Sequence, residues 1–385
     1  MQQDAPNRVS KIQDFLSKKK IDACLLSTTV HMLYSNGRIF NGFMYIPADG
    51  APVRFVKRPI DYADDCVFFI RKPEQIPDIL LSLGYAIPKR LLLEGDEIGY
   101  SNWIRLQQCF PACECINGSN DLRRVRSIKT NAEVSLIRQS AELHVKAYKK
   151  IPEVFRMGMT DIEFSIEIER LMRLEGNLGL FRTYGEMEAF MGSVLTGDNA
   201  DVASPYDFAL GGAGHYTNPI GAAGIVLSDG KSVMIDMAGN FTGYLDDLTR
   251  TFSIGKLPDL AYKAHDTSIE IHLKLQELMK EGAVCEELWE TSLAIAKKAH
   301  LDHCYMGKRQ QAKFVGHGVG LVINELPVIA AKSKDTLVSN MTIAIEPKFV
   351  IDGVGAVGVE DTYLILKDGC EQLTKMDFSI VDLTK

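Results

Sequence analysis

The segment from Met234 to Phe252, MIDMAGNFTGYLDDLTRTF, has the pattern of a buried β-hairpin and yet carries three aspartates. An ionised carboxylate in an apolar sheet is costly unless it is paired, hydrogen-bonded or bound to a cation. A fold that contains this hairpin must therefore neutralise Asp236 and Asp247. We expect Asp246 to face solvent instead, because neighbouring residues in a strand point to opposite sides.

Three further ionisable residues lie downstream in similar β-rich text. FVGHGVGLVINELP carries His317, TIAIEPKFV carries Glu346, and GAVGVEDTYLIL carries Glu360. Taken singly, each acid reads as an ordinary salt-bridge or turn residue, and His317 as a core or loop histidine. Together, four buried carboxylates and one imidazole from predicted strands satisfy each other best around divalent metal.

The ligand types indicate which metals fit. Oxygen-dominated coordination with one histidine and no thiolate suits Mn²⁺, Co²⁺, Fe²⁺ or Zn²⁺ better than it suits a structural cysteine zinc site. Four carboxylates carry too much charge for one ion, so the pattern predicts two divalent metal ions. In two-metal hydrolytic sites the ions lie about 3.5–4 Å apart and share a water whose pKa falls toward roughly 7. The predicted nucleophile is therefore a metal-bridged hydroxide.

Bulk properties exclude several other classes of protein. The chain has 385 residues, 46% of them hydrophobic, and a formal net charge of −7 without a block of five or more like charges, which argues against nucleic acid or an anionic membrane as main partner. No segment has a signal-peptide or membrane-spanning pattern, so we expect a cytoplasmic protein. Eight scattered cysteines without a C-x-x-C pair argue against zinc knuckles.

The length and the patterning predict two domains. Residues 1–128 alternate short β-rich runs with helical segments, which indicates an α/β domain. At SIKTNAE, Thr130 and Glu133 form a predicted capping box that opens a helix. We therefore place the boundary near residue 128 and the second domain at 129–385.

The second domain contains a weak internal repeat. GMTDIEFSIEIERLMRLEG, with Thr160 and Glu163 as another capping box, and GAVCEELWETSLAIAKKAH share a Gly-x-x-x-x-Glu opening and an amphipathic run. Each is followed by β-rich text. The duplication predicts two related halves, each bringing helices and then a hairpin to a shared sheet.

The motifs resemble those of a known family. D-x-x-G-x-x-x-G-Y-x-x-D-x-T-R-T-F, G-H-G-x-G-L, I-E-P and a late E-D pair are similar to the creatinase, aminopeptidase P and prolidase family. The resemblance covers nearly the whole chain, since RLLLEGDEIGYSNWIRL is similar to the family's N-terminal domain. It implies a creatinase-like α/β N-terminal domain, an α+β pita-bread catalytic domain with an internal pseudo-repeat, and a homodimer.

The resemblance also implies roles for the five candidate ligands. Asp236 would bind one metal and His317 the other, with Asp247 and Glu360 bridging them. Glu346 would be both a ligand and the group that accepts the proton of the attacking water. Thr249, on the same strand face as Asp247, is expected to hydrogen-bond near the ligands; an ordinary strand residue is the alternative.

The chain departs from the family at three positions. The substrate-binding histidine expected seven residues after His317 is Asn324, whose amide can still donate a hydrogen bond to an oxyanion. A histidine expected before the first aspartate has a candidate in His215, within an enlarged loop at 204–224, against the alternative of a loop histidine without a catalytic part. An expected arginine is Gly358, which removes a carboxylate clamp. Glu325 matches a family acid beside the site, or is a surface turn acid.

Three functions remain open on this basis. The leading one is hydrolysis of short peptides of the Xaa-Pro type. The second keeps the fold but cleaves a C–N or C–S bond of a small metabolite, which Asn324, Gly358 and the enlarged loop favour. The third is a non-catalytic binding module, which the complete ligand set disfavours.

Overall fold

The computed structural model describes residues 1–183, 191–206 and 208–385. The chain divides into a unit at Met1–Arg126 and a unit at Ser127–Lys385, and the predicted boundary near residue 128 lies close to this division. None of the helices in the described ranges combines the length and the apolar character needed to cross a membrane.

A six-stranded sheet organises the N-terminal unit. Its order is β4-β3-β2-β1-β5-β6, with antiparallel pairs β1–β2 and β2–β3 and parallel pairs β3–β4, β1–β5 and β5–β6. The strands β1 to β6 are Ala23–Leu26, Asn41–Pro47, Val53–Arg58, Val67–Phe69, Arg90–Leu93 and Glu114–Asn117. The six strands match the β-rich runs DACLLS, GFMYIP, VRFVK, CVFFI, RLLLEG and CECING to within two residues. The α/β assignment is therefore confirmed.

Five helices accompany this sheet. The helices α1 to α5 are Ala5–Lys19, Thr29–Asn36, Ile76–Ser82, Tyr100–Cys109 and Ser119–Ser127. The segments NRVSKIQDFLSKKK, IPDILLSLG and YSNWIRLQQCF predict α1, α3 and α4, whereas α2 and α5 were not predicted. Six consecutive residues of α2, His31 to Asn36, are buried, so this helix has no polar face that would reveal a helical period.

The helices α6 to α10 of the C-terminal unit are Asn131–Tyr148, Ile151–Val154, Asp161–Leu174, Asp259–Leu278 and Cys285–Lys298. The sequence predicted three of them, α6, α8 and α10, but not α7 or α9. Both predicted capping boxes are confirmed: Thr130 Oγ1 accepts from the backbone N–H of Glu133, whose carboxylate accepts from the N–H of Thr130, and Thr160 and Glu163 repeat the arrangement. These caps fix where α6 and α8 begin.

The strands of this unit form three sheets. Their orders are β17-β9-β8-β7, β11-β10-β12-β15-β16 and the pair β13-β14. The strands β7 to β17 are Gly192–Thr196, Lys231–Asn240, Leu245–Ile254, Phe314–Gly318, Glu325–Ala330, Thr342–Ile345, Lys348–Ile351, Gly355–Gly358, Asp361–Ile365, Cys370–Gln372 and Val381–Asp382. The predicted hairpin is confirmed as β8 and β9, which pair antiparallel over their full lengths.

The internal repeat is visible in the order of the elements. Helix α8 precedes β7, β8 and β9, and helix α10 precedes β10, β11 and β12. The expectation of one shared sheet is wrong, because the two sets of strands belong to different sheets. A two-residue bridge between Thr249 of β9 and Glu360 joins them, with N···O distances of 3.4 and 3.1 Å.

We predict that Thr130→Ala lowers the free energy of unfolding by about 1 kcal/mol, because α6 loses its N-terminal cap. Denaturant unfolding followed by circular dichroism measures the change. Thr130→Ser keeps the hydroxyl and should unfold close to the parent. Equal loss in both variants would contradict the capping account.

Candidate metal centre

All five candidate ligands line one cavity. The empty space within it, including the open mouth, is about 410 Å³. The five come from different elements of the C-terminal unit: Asp236 from β8, Asp247 from β9, His317 from β10, Glu346 from the turn after β12, and Glu360 from the turn before β15. Two sheets and the β13–β14 hairpin therefore converge here.

Asp247, His317 and Glu360 form one group whose ligand atoms lie within 4.8 Å of one another. His317 Nδ1 lies 3.1 Å from the carbonyl oxygen of Gly318. A carbonyl can only accept, so Nδ1 carries the proton and Nε2 is directed to the acids, 3.9 Å from Asp247 Oδ2. This tautomer is the one that a metal ligand requires, so the group fits a divalent ion.

Asp236, Glu346 and Glu360 form a second group with ligand atoms equally close. Lys348 enters this group. Its Nζ lies 2.8 Å from Asp236 Oδ2, 2.7 Å from Glu346 Oε2 and 3.1 Å from Glu360 Oε2, and its side chain is completely buried. The second group therefore already holds a cation that belongs to the chain.

Burial and the neighbouring charges both shift the pKa values of these acids. Burial raises the pKa of Asp247 well above its usual range, and the carboxylates of Glu360 and Asp236 raise it further. Burial also raises the pKa of Glu360, to about 8, although Lys348 opposes the shift. For Glu346, the Lys348 ammonium and His317 outweigh burial and lower the pKa to about 2. Glu346 is therefore ionised at neutral pH.

Glu360 is held from several sides. Thr249 Oγ1 donates to Glu360 Oε2 at 2.6 Å, as the sequence predicted for this hydroxyl. Arg250 Nη1 donates to the backbone carbonyl of Glu360 at 2.8 Å, while its Nη2 donates to Asp361 Oδ1 at 2.9 Å. These contacts fix both the side chain and the backbone of Glu360 across the junction of the two sheets.

The expectation that Asp246 faces solvent is wrong. Asp246 is completely buried, and its Oδ2 accepts from His144 Nδ1 at 2.7 Å. The alternation of the strand does send it away from Asp247, but helix α6 covers that face of β9. Gly239, the register partner of Asp246, leaves the room, because a Cβ there would meet both the aspartate and His144.

Comparison with known proteins identifies the family. The model of metallopeptidase family M24 matches residues 135–367, more than half of the chain. This chain belongs to metallopeptidase family M24. The Creatinase/Prolidase N-terminal domain model matches residues 8–128. The expected creatinase-like N-terminal domain and pita-bread catalytic domain are therefore confirmed.

Individual members of the family are similar along nearly their whole length. An Xaa-Pro dipeptidase of Pyrococcus horikoshii is 26% identical over 378 residues, which span 97% of this chain and 98% of that protein. The structure of an Xaa-Pro dipeptidase from Bacillus anthracis has a TM-score of 0.81 at 22% identity and covers 98% of this chain and 99% of its own. An X-Pro aminopeptidase structure from Thermotoga maritima has a TM-score of 0.79 at 21% identity, over 94% and 98%.

The predicted substrate residues of this M24 chain lie in different places. Asn324 lines the cavity beside the four acids and His317. His215 is not among the lining residues; it is exposed, and its Nδ1 lies 2.8 Å from Thr217 Oγ1. Asp207, in the same enlarged loop, lies outside the described residues. The catalytic parts of His215 and Asn324 stay predictions.

Glu325 is a buried residue and not a surface turn acid. Its Oε2 lies 3.1 Å from Lys129 Nζ, and its Oε1 accepts from the backbone N–H groups of Leu321 and Val322 at 3.1 and 3.3 Å. Glu325 therefore holds the loop that follows His317, which places it in support of the cavity.

Gly358 lies directly across from Lys348 in the β13–β14 hairpin. Its φ of +152° favours glycine, and a Cβ there would meet the backbone of Pro347 and Lys348. The position where the family resemblance expects an arginine therefore has no room for a side chain here. The buried cation of this hairpin is instead Lys348, on the opposite strand.

Lys348 was not predicted as a site residue, although it lies in the same segment as Glu346, TIAIEPKFV. A signal existed: Lys348 follows Glu346 by two residues in the otherwise apolar segment IAIEPKFVI. A lysine that is close in sequence to a predicted buried ligand, in a segment expected to be buried, is a candidate partner of that ligand.

We predict that Thr249→Val lowers divalent-metal affinity about 10–100-fold, because Glu360 loses the hydroxyl that orients it. Isothermal titration with Mn²⁺ measures the affinity. Thr251→Val is the matched control, since this buried hydroxyl exchanges hydrogen bonds with the backbone of Gly358 and not with a candidate ligand among the described residues. Equal affinity in the two variants would contradict the role of Thr249.

Proposed function

We propose that this protein is a metal-dependent peptidase that hydrolyses the Xaa-Pro bond of short peptides. The observation that carries the proposal is the convergence of Asp247, His317 and Glu360 on one ion position, with the carboxylate of Glu346 beside them. Family M24 is a metallopeptidase family, and two relatives from Pyrococcus that match along nearly their whole length are named Xaa-Pro dipeptidases.

The residues of the centre would have different roles in peptide hydrolysis. A divalent ion held by Asp247, His317 and Glu360 would polarise the scissile carbonyl and lower the pKa of a water. Glu346 lies 3.4 Å from His317 Nε2 through its Oε1 and is ionised at neutral pH, so it is the group that accepts the proton of the attacking water. The Asn324 amide can donate to the developing oxyanion.

The cavity wall suits an apolar substrate group. Besides the ionisable residues, the lining includes six apolar side chains: Phe181, Phe208, Ala209, Ala238, Phe314 and Ile323. Such a wall can bury the pyrrolidine ring of a proline, while the peptide bond before the ring reaches the acids. This arrangement favours an Xaa-Pro peptide over a substrate with charged side chains on both sides of the bond.

The number and the identity of the ions are finer questions. The metal identity, whether Mn²⁺, Co²⁺, Zn²⁺ or Fe²⁺, stays a prediction, because carboxylate-rich sites accept several metals. The predicted second ion would need Asp236, Glu346 and Glu360, and these residues hold the Lys348 ammonium, so they do not fit it. The homodimer and the cytoplasmic location also stay predictions.

A second candidate function is cleavage of a C–N or C–S bond in a small metabolite. Gly358 provides no cationic clamp for a substrate carboxylate, and Asn324 cannot titrate as the family's histidine does. These differences leave the metal group intact while they alter substrate recognition. Hydrolysis of a panel of Xaa-Pro peptides and of dipeptides without proline separates the two candidate functions.

We predict that Glu346→Gln lowers kcat for an Xaa-Pro dipeptide by roughly 10²–10⁴-fold, because the amide cannot accept the proton of water. Steady-state kinetics at saturating metal, with circular dichroism and metal analysis of the same sample, measure the effect. Glu153→Gln, an exposed acid at the start of α7, is the control and should match the parent. Unchanged turnover in Glu346→Gln would refute the assignment.

We predict that metal depletion with a chelator abolishes peptide turnover and that Mn²⁺, Co²⁺ or Zn²⁺ restores it. A panel of Xaa-Pro dipeptides, longer Xaa-Pro peptides and dipeptides without proline, assayed by release of free amine, shows the preference. Rapid release from the Xaa-Pro members supports the peptidase. Metal binding without hydrolysis of any peptide would favour the metabolite enzyme, and failure to bind metal would favour a binding module.

A further inference from the structure

Lys348 places a fixed cation inside the candidate metal centre. An ammonium group has three N–H donors. Lys348 Nζ lies within hydrogen-bond distance of three carboxylates, Asp236, Glu346 and Glu360, at 2.7 to 3.1 Å. The three donors are therefore matched by three acceptors, and the side chain is enclosed on all sides.

The three acceptors are the same residues that make up the second possible ion group, Asp236, Glu346 and Glu360. An ion bound to carboxylates would take oxygens at about 2.0–2.2 Å and would lie between them. The ammonium now lies between them at hydrogen-bond distance. A divalent ion and the ammonium would have to share these oxygens at close range, where like charges repel strongly.

The first ion group is not filled in this way. Of its three members, only Glu360 contacts Lys348, and the imidazole Nε2 of His317 remains directed to Asp247 and Glu346. The two groups thus differ in the described structure: one presents a histidine and two acids, and the other presents three acids around an internal ammonium.

The backbone holds Lys348 in this place. Lys348 is the first residue of β13, its carbonyl accepts from the N–H of Met306 at 2.8 Å, and its strand pairs with β14 opposite Gly358. Withdrawing the ammonium from its three partners would leave a buried charge without compensation, which is strongly unfavourable. Lys348 is therefore a permanent occupant of the second group.

We propose that the Lys348 ammonium replaces one of two divalent ions, so that the centre binds a single ion, at Asp247, His317 and Glu360. Asp236 is then an ion-pair partner of Lys348 and not a metal ligand. The proposal rests on the proposed function in one respect: the single remaining ion is the one that serves hydrolysis.

Metal stoichiometry tests the proposal. The purified chain is loaded with Mn²⁺, freed of unbound ion by gel filtration and analysed by mass spectrometry of the metal against protein concentration. We expect a single ion per chain in the parent and a second ion in Lys348→Ala. Lys129→Ala is the matched control, because it removes another buried lysine whose partner, Glu325, lies outside both groups; it should still bind a single ion.

A second measurement does not depend on whether Lys348→Ala folds. The electron paramagnetic resonance spectrum of the Mn²⁺-loaded parent should be that of isolated ions, without the exchange coupling of a bridged pair. Two ions per chain or a coupled spectrum in the parent would overturn the proposal. A folded Lys348→Ala that still binds a single ion would overturn it as well.

The outcomes also separate this proposal from the proposed function. A parent that binds two ions and cleaves Xaa-Pro peptides contradicts only the role of Lys348. A parent that binds a single ion and cleaves no peptide contradicts only the peptidase, and a parent that binds no ion contradicts both.

Discussion

Neutralisation of buried negative charge is the constraint around which the C-terminal unit is built. Four carboxylates line one cavity, each less than a tenth exposed: Asp236, Asp247, Glu346 and Glu360. Burial disfavours the ionised form of each, and each carboxylate disfavours the ionisation of the others. Lys348 compensates three of them, whereas Asp247 Oδ2 faces His317 Nε2 at 3.9 Å. A divalent ion held by the first group, Asp247, His317 and Glu360, would complete the compensation.

The scaffold meets this constraint by joining two sheets at the acids themselves. The bridge between Thr249 and Glu360 connects the β8–β9 hairpin to the sheet that carries His317, and Arg250 braces the same backbone. Alternation along β9 then separates two buried charges, sending Asp247 to the cavity and Asp246 to His144 on helix α6. The two faces of this hairpin thus have different roles: one contributes Asp236 and Asp247 to the cavity, and the other packs Asp246 against helix α6.

The features that could be predicted from sequence are those set by local pattern. The β8–β9 hairpin, the caps at Thr130 and Thr160 and the strand runs of the N-terminal unit follow from periodicity and from hydrogen bonds between near neighbours. The placement of five distant side chains in one cavity was predicted because an acid in an apolar strand requires a partner. The environment of Asp246 depends on which helix covers the far face of β9, and strand alternation alone carries no such information.

Lys348 shows the limit of reasoning from ligand motifs. A search for acids and histidines that could hold metal does not consider a lysine, although Lys348 lies only two residues after Glu346. The number of ions was predicted from negative charge alone, without the internal cation that contacts Asp236, Glu346 and Glu360. In our proposal Lys348 determines the number of ions in this chain, which the carboxylates by themselves do not reveal.

Anomalous diffraction from a crystal grown with Mn²⁺ tests the central claim most directly, because it locates ions and side chains in one experiment. The account predicts one anomalous peak per chain, among Asp247, His317 and Glu360, with Lys348 Nζ still bound to Asp236 and Glu346. A second peak among Asp236, Glu346 and Glu360, with the lysine displaced, would contradict it.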